Sequence, residues 1–137
     1  MASTKFPVEV LTPEGEVFND EVVQISTKTA VGSIGILAHH QPLLAMLDPT
    51  ELRLYKSESD VIRYAQGEGY LQIAGEHALV LVDEVFPVDE LVVAELRDRA
   101  RRAEDELANA EDGSEEARAA ARDKRRYDAF LKLTEGR

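Results

Sequence analysis

The chain has 137 residues, 44% of them hydrophobic and 31% charged, which is room for one ordinary domain or a small domain with an appendage. Twenty-seven acidic residues against 16 basic ones give a net charge of −11, which disfavours nucleic-acid binding and adhesion to an anionic membrane, since both need a basic face. No cysteine is present, so disulfides, thiolate zinc sites and cysteine nucleophiles are excluded; no apolar run is long enough to predict a membrane span. The opening stretch lacks a basic segment followed by an apolar one, so it is not read as a secretory signal.

In chain order, Phe6, Val8 and Val10 alternate with Pro7 and Glu9, predicting a strand, and Thr12-Pro13-Glu14-Gly15 predicts a turn. Further strands are expected over 21–27, 51–56, 60–66, 69–74 and 77–82, with hairpin connections at 57–60 and 75–76. The segment 77–82 is apolar on both faces and is placed in the middle of a sandwich. Residues 29–44 read, from composition alone, as a long loop in which Gly32 and Gly35 permit tight turns and Pro42 biases its predecessor towards extended geometry.

All five prolines lie at or before Pro87, and the β-branched residues nearly vanish after Val93, so a boundary is expected at 86–89. The predicted architecture is therefore an N-terminal antiparallel β-sandwich, residues 1–87, followed by an antiparallel two-helix hairpin, residues 88–137. Asp89 is the expected cap of the first helix, whose stripe is Val92, Leu96, Arg99 or Ala100, Ala103, Leu107 and Ala110. Asp112-Gly113-Ser114 reads as a stop and a new N-cap. The second stripe is Ala117, Ala120 or Ala121, Lys124, Tyr127 and Leu131. Residues 1–88 carry 5 basic and 13 acidic groups, whereas 89–137 carry 11 and 14, with the basic groups bunched at 97–102 and 122–126.

The catalytic inventory is thin. His39 and His40 are adjacent and would diverge in an extended chain, so they make a poor chelating pair, and no metal site is expected. There is no Gly-x-Ser-x-Gly elbow, and Gly32-Ser33-Ile34-Gly35 is not followed by Lys-Ser/Thr as a phosphate loop would be. No catalytic residue and no cofactor is expected on this chain. Composition and periodicity alone favour a stand-alone sandwich and coiled-coil interaction module of another assembly.

One constellation is more specific. Gly32-Ser33-Ile34-Gly35-Ile36-Leu37, continuing to His40 and Pro42-Leu43, resembles the signature of the epsilon subunit of F-type ATP synthases. Gly67-Glu68-Gly69-Tyr70, the run 78–84 and the opening 8–15 with Val17-Phe18 fit the same family, and the resemblance covers essentially the whole chain. It implies a non-catalytic rotor subunit that couples proton flow to ATP synthesis, its partners the gamma subunit, the c-ring and the alpha/beta head. It also implies a place on the cytoplasmic face of a bacterial plasma membrane, without insertion. The resemblance assigns Val31, Gly32, Ser33, Ile34 and Gly35 to a loop facing the ring, with His40 and Pro42 holding its base; other members often carry an acid where Ser33 stands. It assigns Arg122, Lys124, Arg125 and Arg126 to contact with the head when the hairpin extends and inhibits hydrolysis. Intrahelical ion pairs with Asp123 and Asp128 are the competing reading of that cluster. Some members bind ATP through Ile/Leu-Asp-x-x-Arg-Ala; here Leu91-Val92-Val93-Ala94-Glu95-Leu96 replaces the acid by Val and the cation by Glu, so weak or absent ATP binding is expected.

Overall fold

The computed structural model describes residues 3–137. Ten strands come first: β1 (Phe6–Thr12), β2 (Gly15–Val22), β3 (Gln24–Thr29), β4 (Gly32–Leu37), β5 (Leu43–Leu47), β6 (Thr50–Tyr55), β7 (Val61–Gln66), β8 (Gly69–Ala74), β9 (His77–Val82) and β10 (Val85–Pro87). A 3₁₀ turn at Val88–Glu90 leads to α1 (Val93–Asn109) and α2 (Glu115–Glu135). The chain divides into two compact units, Met1–Pro87 and Val88–Arg137.

The strands form one continuous ladder, β10-β7-β6-β3-β5-β8-β9-β1-β2, with β4 on the other side of β3. The β3–β5 junction is a single residue pair, Thr29 opposite Leu47, and there the ladder folds into two layers. Ile25, Leu52 and Leu54 from one layer and Val8, Leu71 and Val80 from the other share one core, all essentially inaccessible to water. This is the expected β-sandwich. Among the described residues its one departure from antiparallel pairing is β1 with β9, which run parallel from Val8 opposite Ala78 to Leu11 opposite Leu81.

Two expectations for the strands are corrected. The single strand over 21–27 is two, because β2 ends at Val22 and β3 starts at Gln24; Val22 and Val23 are both buried, which defeats a period-2 reading. Residues 29–44 are not a long loop: Gly32–Leu37 is a strand paired along its length with β3. Strand β9 does lie inside its sheet, between β8 and β1, but Leu81 on its outer face is exposed.

In the helical unit Ser114 caps α2 as expected, its Oγ accepting a hydrogen bond from the Ala117 N–H at 3.1 Å. Asp89 does not cap α1: it sits in the 3₁₀ turn, and Val92 occupies the N-cap position without a side-chain cap bond. The buried helical residues are Leu96, Ala100 and Ala103 on α1 and Ala120, Arg126 and Phe130 on α2. Phe130 thus takes the central place that the spacing had given to Leu131, one residue further on.

Candidate functional site

The signature segment is split between two ends of the sandwich. Ala30 and Val31 form the turn between β3 and β4, and Val31 is 98% exposed at its tip. Thr29 organises this turn, its hydroxyl accepting from the Val31 N–H at 3.2 Å and donating to the Gly32 carbonyl at 3.0 Å. Gly32 has φ of +139°, a conformation that side chains rarely adopt. Ser33 and Gly35 lie on the outer face of β4, while Ile34 and Ile36 turn towards the core. His40 and Pro42 follow the far end of β4, roughly 20 Å from the Val31 turn at the usual strand rise. The residues expected as one loop are therefore a turn, a strand and a second loop.

The end that carries the Val31 turn is tied together from inside. Gln66 is fully buried, and its Oε1 accepts from the Thr27 hydroxyl at 2.6 Å. Its Nε2 donates to the carbonyls of Asp48 and Gly67 at 3.0 and 2.9 Å. One side chain thus links β3 to the β5–β6 and β7–β8 turns, with its amide and carbonyl all satisfied.

At the opposite end His39 and His40 meet His77 and Glu76 around a small cleft. His39 adopts φ of +63° and lies 3.7 Å from Glu76, while His40 Nδ1 is 2.7 Å from the Gln41 carbonyl. Among the described residues no group of three or more His, Asp or Glu side chains is placed to hold a metal ion.

A surface that sequence reasoning missed lies on the outer face of β5, β8 and β9. Leu44 (69% exposed), Met46 (63%), Tyr70 (48%) and Leu81 (45%) stand on adjacent strands, and Leu44, Tyr70, Gln72, Leu79 and Leu81 line a shallow groove. Met46 is directly opposite Tyr70, and Tyr70 opposite Leu81. Three neighbouring strands with large apolar groups outward are unusual for a solvated face. The signal was present in the apolar run of 77–82, which reads as burial within the fold unless a partner is considered. Gly69 sets the spacing here: a Cβ on it would fall 2.0 Å from the Leu81 carbonyl oxygen.

On the outer face of β6 and β7, Arg53 stands opposite Arg63, and Glu51 bridges them, paired with both. Burial pushes the Glu51 carboxyl up, but the hydrogen bonds from Arg63 and Arg53 outweigh it and hold the group below the usual range.

The basic cluster of α2 is not a uniform face. Lys124 pairs with Asp128 at 2.7 Å, which holds its ammonium above the usual value, and Arg126 lies 3.8 Å from Asp123. Arg126 is buried, with its guanidinium 5.7 Å from the Tyr127 ring centre; Arg99 of α1 lies 5.6 Å from the same ring. Arg122 and Arg125 are exposed. The intrahelical pairs expected as the competing reading are thus present in this conformation.

Residues 5–88 match the family described as ATP synthase, Delta/Epsilon chain, beta-sandwich domain. The chain belongs to the ATP synthase delta/epsilon family. An ATP synthase epsilon chain of Sulfurihydrogenibium sp. is 34% identical over 93% of this chain and 96% of its own length. Another, from Persephonella marina, is 42% identical over 64% of this chain and 65% of its own. The fold is shared with a chain of the Euglena gracilis mitochondrial ATP synthase, at a TM-score of 0.77 and 13% identity over 96% of this chain and 82% of that one. A second structure, of the Tetrahymena thermophila mitochondrial ATP synthase central stalk and c-ring, gives a TM-score of 0.64 and 22% identity over 98% and 99%.

An epsilon chain is a non-catalytic subunit, so the chemistry to be explained is contact rather than turnover. Within the family frame the Gly67-Glu68-Gly69 marker acquires a physical cause, since Gly69 admits the close approach of β9. At the start of the hairpin, Val92 is half exposed and Glu95 stands in the first turn of α1.

Proposed function

We propose that the chain is a rotor subunit in the central stalk of a bacterial F-type ATP synthase, peripheral on the cytoplasmic face of the plasma membrane, which couples proton flow to ATP synthesis. The observation that carries this reading is the apolar face of β5, β8 and β9. Four large apolar side chains on adjacent strands need a permanent partner, and a stalk subunit has one in gamma. The Val31–Gly35 segment is the candidate for contact with the c-ring: its tip is apolar and exposed, and Ser33 offers a hydroxyl where relatives often carry charge. His40 and Pro42, at the far end of β4, shape the second loop and lie away from that contact. The 1–87 unit is therefore the attachment module and the 88–137 unit the regulatory arm.

In the same reading the hairpin inhibits ATP hydrolysis when it opens and reaches the alpha/beta head. Arg122 and Arg125 are exposed in the closed form, and Lys124 and Arg126 give up Asp128 and Asp123 on opening. ATP binding is weak or absent, because Glu95 places an anion where a phosphate needs a cation; isothermal titration showing sub-millimolar affinity would refute this.

The attachment is tested with the full chain and recombinant gamma subunit. Glutamate at an apolar contact strands a charge in a desolvated site, so Leu44→Glu and Tyr70→Glu each weaken gamma binding by about thirtyfold or more. Both positions are exposed, so the fold survives. Unchanged affinity in both variants would remove this face as the attachment surface.

A further inference from the structure

The hairpin is built unevenly along its length. Towards the tip, the buried residues are small: Ala100, Ala103 and Ala120, while Leu107 is 36% exposed. The large buried side chains, Val88, Leu91, Leu96 and Phe130, all lie towards the base, where the 88–92 segment enters and α2 ends. Tyr127 and Phe130 stack edge to face in the same region, with ring centres 6.4 Å apart.

The base also carries a polar tie. The Nη1 of Arg137, beyond the end of α2, donates to the Leu91 carbonyl at 2.6 Å and to the Val88 carbonyl at 3.0 Å. These carbonyls precede α1, and Val88 O also accepts from the Leu91 N–H of the 3₁₀ turn at 3.3 Å. One guanidinium nitrogen therefore joins residues 46 and 49 positions apart in the chain. It is an ionised donor facing two acceptors that lie outside the α1 ladder.

We propose that Arg137 is a latch on the base of the hairpin: its bonds to Val88 and Leu91 hold the end of α2 against the segment that leads into α1, and α2 cannot leave α1 at its base while they persist. A carboxylate is the chemistry that would release it, because a charged acceptor competes for the guanidinium better than neutral carbonyls do. The latch is a property of the closed hairpin and does not depend on the inhibitory reading; exchange reports the first, hydrolysis the second.

The test is amide hydrogen exchange on the full chain, comparing the parent with Arg137→Ala and Arg137→Gln. Lys132→Ala removes a charge from the last turn of α2 without touching the latch and serves as the control. The expected result is exchange faster by about fivefold to tenfold at Leu91, Leu96 and Gly136 in both Arg137 variants, with the tip of the hairpin and the sandwich unchanged. Three results overturn the proposal: exchange like the parent's, an equal effect in Lys132→Ala, or an increase spread evenly over both units.

Discussion

Gly69 offers the sharpest test of the packing that places the apolar face. It stands opposite Val82 in the β8–β9 ladder, and a Cβ there would lie 2.0 Å from the Leu81 oxygen, 2.7 Å from the Val82 Cα and 2.9 Å from the Leu81 carbonyl carbon. All three are backbone atoms, so no side chain can swing aside. Ordinary contact begins at 3.4 Å, and reaching it from 2.0 Å needs about 1.4 Å of strand separation. Overpacking of this kind costs about 1–3 kcal/mol. The Asp83 N–H to Glu68 O and Gly67 N–H to Glu84 O bonds flank the site, and loosening them adds about 1 kcal/mol each. Gly69→Ala is therefore expected to cost about 3–5 kcal/mol. For a unit of this size that is a fall in Tm of at least about 12 °C, measured by calorimetry and assigned to the strand unit by exchange at β8 and β9 amides. Gly35→Ala is the matched control. Its Cβ would meet only Gln24 Nε2 at 3.6 Å and Ile25 O at 4.0 Å, and the change should stay within about 0.5 kcal/mol. A Gly69→Ala melt within about 2 °C of the parent, or equal damage from Gly35→Ala, would refute the reasoning.

Two further outcomes follow from local chemistry. Glu51 is held below the usual carboxylate range, so the unfolded chain binds its proton more readily and Glu51 stabilises the fold above its ordinary value near 4.5, a contribution lost as pH falls through the lower folded value. Glu51→Gln should therefore be less stable than the parent at pH 7, and acid unfolding curves of the two should converge below about pH 4; a constant gap down to pH 2 contradicts the assignment. Ser114→Ala removes the only side-chain cap bond seen on the two helices and should cost about 1 kcal/mol, read as faster exchange in the first turn of α2, with α1 unchanged.

Much of this architecture is legible in the sequence because it rests on strong local signals. The disappearance of proline after Pro87 marks the change from strands to helices, and Asp112-Gly113-Ser114 marks the turn between helices, with Gly113 at φ of +76° and Ser114 capping α2. The strand failures have a common cause, which is that period and turn chemistry give out where strands are short or glycine-rich. Strand β4 contains two glycines and a serine in six residues, so it reads as loop until its pairing with β3 is seen. The apolar outer face of β5, β8 and β9 was hidden for a different reason. Leu79 and Leu81 obey no polar alternation, and one chain alone cannot distinguish burial in its own core from burial against another chain. Arg126 shows the same limit on α2: nothing in a run of basic residues says which of them turns inward towards Tyr127.

The central claim, attachment through the sandwich and regulation through the hairpin, is tested most directly by titrating ATP hydrolysis of the cognate alpha-beta-gamma head with the full chain and with a chain ending at Val88. The account predicts that both bind and that the full chain alone suppresses turnover. Binding of both without suppression by either would contradict the regulatory role of the hairpin, and failure of both to bind would contradict the attachment itself.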